Sequence, residues 1–255
     1  MAFVIALAGK GGTGKTTVAG LTIRYIIEKK KKPLLAVDAD SNSSLNEVLG
    51  VDVHTTIGKL REESLDEIRR STERLGGMST EELFDYQIQQ SIIESKGFDL
   101  IVMGRPEGAG CYCAANNIIR KYVDKLSFTY PYVVIDNEAG MEHLSRRTTH
   151  KIDLLFIVSD PTTRGIQTAG RINELIDELR LEIDRRLVII NRISGQEGEE
   201  LKSLAEQKGL YVAGLIPQDS TLFNYDLQGK PIFQLPGESP AVIALFSILD
   251  SLDIT

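Results

Sequence analysis

Two stretches of this 255-residue chain carry side chains whose types and spacing do chemistry. In Gly9-Lys10-Gly11-Gly12-Thr13-Gly14-Lys15-Thr16, glycines alternate with two lysines and end on a hydroxyl, the pattern G-x-x-x-x-G-K-[ST]. Glycines let backbone N–H groups curl around a phosphate with no Cβ in the way, and a helix that follows points its positive end at the anion. Lys15 is placed to reach the β- and γ-phosphates, Thr16 to put its hydroxyl on Mg²⁺, and Thr17 to continue the site. Lys10 is a second lysine, five positions early. It cannot easily fold back onto phosphates held by its own loop, but it can reach a phosphate held by a facing subunit, the task of an arginine finger. The second stretch, Cys111-Tyr112-Cys113, holds the only two cysteines. Thiolates at i and i+2 of an extended segment point the same way. Two copies meeting about a two-fold axis would gather four sulfurs, a set that suits Zn²⁺, Ni²⁺ or an iron–sulfur cluster. Two small buried residues beside a glycine-rich turn read equally well from the pattern. His143 and His150 are either further ligands or satisfied structural histidines.

Carboxylates complete the set. In Val37-Asp38-Ala39-Asp40 two aspartates alternate, so on an extended chain they share a face. Val-Val-Ile-Asp136-Asn-Glu-Ala-Gly140 ends another apolar run in an aspartate, with a glycine four residues on. Each aspartate reads either as a magnesium or water ligand or as a turn and helix-cap carboxylate.

The elements that must hold these residues follow from hydropathy. Apolar runs at 3–9, 33–40, 98–104, 132–140, 153–160, 185–192 and 209–217 predict seven strands, and amphipathic stretches at 15–30, 80–95, 114–126, 163–180, 197–208 and 240–252 predict helices. The strand runs are continuous, which means burial on both faces. Strand–helix alternation implies an α/β fold, a mostly parallel sheet of seven or eight strands with helices on both faces, whose ligands bind at the carboxyl ends of the strands. Gly9, Asp38, Asp40, Asp136, Asn191 and Pro217 all fall there. No linker divides the chain, so residues 1–255 read as one domain. A net charge of −7 argues against non-specific nucleic-acid binding. No apolar run is long enough to span a membrane, and no leader is legible. A cysteine-poor chain of this kind is expected in the cytoplasm.

The loop form G-K-G-G-x-G-K-[ST] resembles that of the deviant P-loop ATPases, which include the nitrogenase iron protein and the septum-site and plasmid-partition ATPases. The resemblance implies a homodimer that clasps two ATP molecules with Mg²⁺, Lys10 acting across the interface. It implies that Asp40 orients the attacking water, Asp38 assists at the magnesium shell, Asp136 holds a magnesium water and Gly140 senses the γ-phosphate. It places Asn191, Pro217 and Asp219 at the adenine. The run Asn191-Arg192-Ile193-Ser194 lacks the aspartate of guanine readers, which favours ATP over GTP. Over nearly the whole chain, weakest over 52–97 and most specifically in Cys111-Tyr112-Cys113 and Glu138–Arg146, the sequence is similar to the nickel-inserting accessory ATPases of carbon monoxide dehydrogenase and acetyl-CoA synthase. That likeness implies Ni²⁺ or Zn²⁺ shared between subunits by Cys111 and Cys113, and delivery of nickel to such a client enzyme. The alternatives are an electron-transfer ATPase with an intersubunit [4Fe–4S] cluster and a positioning ATPase on membrane or DNA. The former expects a cysteine near 136–140, where there is none. The latter expects a basic amphipathic tail, whereas 239–255 holds no Lys or Arg.

Overall fold

The computed structural model describes residues 2–42, 44–60, 62–63, 80–105, 125–126, 128–139 and 151–254. The described strands form one sheet: β1 (Phe3–Ala8), β2 (Leu34–Ala39), β3 (Ile93–Ser95), β4 (Phe98–Val102), β5 (Tyr132–Asn137), β6 (Lys151–Ser159), β7 (Glu182–Ile193) and β8 (Val212–Pro217). Their order is β3-β4-β2-β5-β1-β6-β7-β8. Every pairing is parallel except β3 with β4.

The sheet thus has the seven expected strands and an eighth at its edge. Residues 93–95 were expected to end a helix. Instead the helix α3 (Thr80–Ser91) stops short, and Ile93–Ser95 pair with Leu100, Asp99 and Phe98. The two-residue turn Lys96-Gly97, with Gly97 at φ 92°, closes the hairpin. A β-branched pair ahead of such a turn favours extended chain over another helical turn.

Alternate strand residues bury on opposite faces. Val4, Ala6, Leu35, Val37, Val133 and Ile135 pack on one side with Ile166, Ala169, Ile172 and Ile176 of α4 (Thr163–Glu178) and with α5 (Glu197–Gln207). Ile5, Leu7, Leu34, Ala36, Val134 and Phe156 pack on the other. There they meet α1 (Lys15–Tyr25) and the last helix, α7 (Pro240–Ser251). The short helices α2 (Leu45–Leu49) and α6 (Ser220–Leu227) flank the carboxyl edge. Ala241, Val242, Leu245, Ile248 and Leu249 of α7 are buried, so this helix is a core element, as its composition implies. Among the described residues no helix is long and apolar enough to cross a membrane.

Helix α4 begins where Thr162 accepts a hydrogen bond from the Gly165 N–H at 3.0 Å. Thr162→Ala removes this cap. The expected cost is about 1 kcal/mol, seen as a fall of roughly 2–4 °C in the thermal midpoint by circular dichroism. An unchanged midpoint would mean that water serves this helix end as well as the hydroxyl does.

Candidate functional site

The loop between β1 and α1 is shaped by its glycines. Gly9 sits at φ 151°, and a Cβ there would meet the Val158 carbonyl oxygen at 2.3 Å. Gly14 caps α1 at φ 89°, and a Cβ there would lie 2.5 Å from Asn191 Nδ2. Only glycine fits either position. The first turn of α1 has neither a side-chain cap nor an acidic residue. Its unpaired N–H groups are therefore left for an anion. Lys15 is buried, with Nζ 3.4 Å from the Lys10 carbonyl oxygen, which also accepts from the Thr13 hydroxyl at 2.9 Å. Burial lowers the Lys15 pKa, while the charges of Asp136, Asp40 and Glu138 work to raise it. The ammonium is thus ringed by carboxylates and held for a phosphate. Lys10 turns its backbone inward and leaves its side chain exposed.

Asp38 and Asp136 face each other in register on neighbouring strands β2 and β5. Asp38 accepts from the backbone N–H groups of Asp40 (3.1 Å) and Leu45 (3.0 Å), which folds the chain after β2 back onto the start of α2. Burial pushes its pKa up to about 7, against those two bonds and with the charge of Asp136. Asp136 is pushed up to about 6, chiefly by burial and with help from Asp40, while a hydrogen bond from Thr16 and the charge of Lys15 pull it down. One of its oxygens, Oδ1, is buried with no hydrogen-bond partner. An orphaned buried carboxylate oxygen beside a threonine hydroxyl suits a hard cation such as Mg²⁺ whose shell water and phosphate complete. Asp40 accepts from the Asn42 N–H at 2.8 Å, and Ser41 donates to Glu138 at 3.3 Å, so the chain after β2 touches the chain after β5.

On the other side of the loop, Thr16, Thr17, Asn191, Pro217, Phe223 and Lys230 border a cleft of about 560 Å³. It lies between the ends of β7 and β8 and helix α6 and is roomy enough for a base and sugar.

A family model described as the CobQ/CobB/MinD/ParA nucleotide binding domain matches residues 4–232. The chain belongs to this family. It is a P-loop ATPase. A protein of Methanocaldococcus jannaschii named only as an uncharacterized ATP-binding protein is 42% identical over 233 residues, 91% of each chain. The carbon monoxide dehydrogenase accessory protein CooC of Rhodospirillum rubrum is 31% identical over 248 residues, 93% of this chain and 90% of that one. Among solved structures, the septum site-determining protein MinD of Pyrococcus horikoshii, complexed with Mg-ADP, superposes with a TM-score of 0.70 at 19% identity, covering 100% of this chain and 97% of that one. At that identity the likeness is one of fold.

In this P-loop ATPase the structure brings the loop residues, Asp38, Asp40 and Asp136 to one point, and sets Asn191, Pro217 and Asp219 along the cleft. Asp38 and Asp219 also carry structural tasks that their spacing does not show. Asp38 organises the chain that follows it. Asp219 caps α6, its Oδ1 accepting from the N–H groups of Thr221 (2.8 Å) and Leu222 (3.1 Å). Its Oδ2 accepts from the Ser239 hydroxyl and from the Ala241 N–H at 3.1 Å. Burial works to raise its pKa, but these four bonds outweigh it and hold the carboxylate below its ordinary range. Its lone pairs are committed to joining α6 to α7, so it shapes the cleft wall. Cys111, Cys113, Gly140, His143, His150 and nearly all of the helix expected over 114–126 lie outside the described residues, and among the described residues no cluster of His, Cys, Asp or Glu suits a metal without help from water or phosphate. Arg192 and Glu138 are parts of the site that motif spacing does not single out.

Proposed function

We propose that this ATPase is a metallochaperone: a homodimer, closed by ATP, that holds nickel (or zinc) between the Cys111 and Cys113 thiolates of two subunits and delivers nickel to the apo form of carbon monoxide dehydrogenase or acetyl-CoA synthase. The observation that carries this is the 31% identity to the accessory protein CooC across 93% of this chain, joined to the Cys-x-Cys that the chain carries. Sheet topology supports it. β4, which leads into the cysteine segment, pairs with β2 and leaves from the same edge as Asp38, and the Met103 N–H donates to the Asp38 carbonyl at 2.8 Å. A change at Asp38 is therefore coupled to Met103, eight residues before Cys111 in the sequence.

The nucleotide chemistry falls to named groups. Lys15 and the N–H groups opening α1 hold the β- and γ-phosphates. Asp40, at the mouth of the loop, orients water for in-line attack. Magnesium, held by Thr16 and through Asp136, supplies charge neutralisation when bound. Lys10 of one subunit meets the triphosphate of the other. Nickel is cargo, and thiolates suit a borderline metal of that kind.

The reading is tested at the thiols. Cys111→Ser and Cys113→Ser are expected to lose stoichiometric Ni²⁺ and Zn²⁺ binding, measured by equilibrium dialysis with metal analysis, while Mg-ADP affinity stays within about twofold. Undiminished metal binding in both variants would overturn it, as would a brown, iron-loaded protein from anaerobic preparation.

A further inference from the structure

Arg192 is not part of the phosphate-loop motif, yet it lies on the loop. Its guanidinium Nη1 donates to the Gly12 carbonyl oxygen at 2.9 Å, next to the Thr13 carbonyl that accepts from Asn191 Nδ2 at 2.9 Å. Two consecutive loop carbonyls are thus drawn toward the end of β7. In a trans peptide the carbonyl and the following N–H point in opposite directions. Holding the carbonyls of Gly12 and Thr13 outward therefore turns the N–H groups of Thr13 and Gly14 into the loop. That is the arrangement an anion-binding nest needs. The Thr13 N–H makes only a long contact, 3.4 Å, to the Lys10 carbonyl oxygen, so it is available to a phosphate.

The chain goes to some length to bring Arg192 there. From Ile190 to Ile193, β7 takes three residue steps against two from Leu215 to Pro217 on β8, a bulge in a parallel pair. Arg192 itself adopts φ 63°, a region sparsely populated by residues with a Cβ. Its N–H is held by Asn191 Oδ1 at 3.0 Å. Such conformations persist where the surroundings over-determine them, and they gather at binding sites.

We infer that Arg192 is a positioning residue for nucleotide binding: from the bulged end of β7 it presets the phosphate loop by fixing the Gly12 peptide. The inference rests on the nucleotide site alone and is independent of the metal reading. Arg192→Ala and Arg192→Lys are compared with the unsubstituted chain by calorimetric titration with Mg-ADP and by steady-state ATP hydrolysis, with no nickel or zinc present. A charge-assisted hydrogen bond of this kind corresponds to about tenfold in affinity. Arg192→Ala is expected to weaken ADP binding and raise KM for ATP about tenfold, with kcat within about twofold. Arg192→Lys, which keeps a cationic donor, should recover most of the loss. The side chain is exposed, so the thermal midpoint of the nucleotide-free protein should stay within about 2 °C. ADP affinity of Arg192→Ala within twofold of the unsubstituted chain overturns the inference. So does an equal loss in both variants with a lowered midpoint, which would assign Arg192 to holding the strand end.

Discussion

Asp136→Asn is expected to cut Mg-dependent ATP turnover by about a hundredfold or more and, in the same protein, to raise the thermal stability of the nucleotide-free state at pH 8. The loss follows from the proposed magnesium role of Asp136: the orphaned Oδ1 and its partner oxygen beside Thr16 would supply the anionic side of the site, and an amide in their place offers one neutral oxygen. A metal that neutralises the transferring phosphoryl group contributes several kcal/mol to the transition state. The stability gain follows from linkage. Asp136 titrates at about 6 in the folded chain, and its neighbour Asp38 at about 7, against an ordinary value of 3.8. Between about pH 4 and pH 7 the folded state holds protons that the unfolded chain has released, so stability falls as pH rises through that window. Above it the cost of two buried charges is fully present. Asparagine cannot ionise and escapes its part. At pH 5 part of this cost is already present, because the unfolded carboxylate has ionised while the folded one has not, so the variant's advantage should be smaller than at pH 8 and vanish only below about pH 4. Melting curves at pH 5 and pH 8 without nucleotide, beside turnover assays, test both halves. A variant less stable at pH 8, or one that hydrolyses ATP normally, contradicts the assignment. On that proposal the buried carboxylates give up stability for function, because a cation brought by the nucleotide would offset their charge.

How far the sequence discloses this site depends on the range of the interaction concerned. The phosphate loop is legible because its requirements are local: Gly9 and Gly14 are needed for positive φ and for close approach of Val158 and Asn191, and the lysine and threonine follow within two residues. The two-faced core is legible for the same reason, since continuous apolar runs such as 34–39 and 132–137 state their own burial. What stays hidden is pairwise and long-range. That Asp38 ties down Leu45 while Asp136 keeps an empty oxygen depends on which carboxylate faces the loop, and two equivalent aspartates at strand ends do not announce the difference. That Asp219 also caps α6 and bonds Ala241, twenty-two residues on, depends on how α6 and α7 pack. Arg192 bonds a carbonyl 180 residues away, reached only because the strand bulges. The edge strand Ile93–Ser95 was masked by helical periodicity that ran on past its true end, and Gly97 was the signal to stop.

Lys10→Ala is expected to lower ATP turnover about a thousandfold while leaving Mg-ADP affinity within about threefold. A cation supplied at the transferring phosphoryl group accounts for 10³–10⁵ in rate in related phosphoryl transfers. In the single chain, Lys10 shows its carbonyl to Thr13 and to Lys15 and its side chain to solvent, so the ammonium takes no part in holding its own loop together. Removing it should therefore spare binding. The decisive version of this experiment uses two variants that are each inactive. Lys15→Gln leaves a subunit unable to use its own nucleotide but still carrying Lys10. Lys10→Ala leaves a subunit with an intact phosphate loop but nothing to offer its neighbour. If the lysine acts within its own subunit, a mixture of the two stays as inactive as either alone. If it acts across a two-fold interface, a mixed dimer contains one complete site: the loop of the Lys10→Ala subunit, supplied by the Lys15→Gln partner. Random mixing in equal amounts makes half of all dimers mixed, each with one working site in place of two, so recovery to about a quarter of the unsubstituted rate is expected. No recovery on mixing, together with a single-subunit mass under saturating ATP, would remove the dimer from the mechanism and with it the shared thiolate cage.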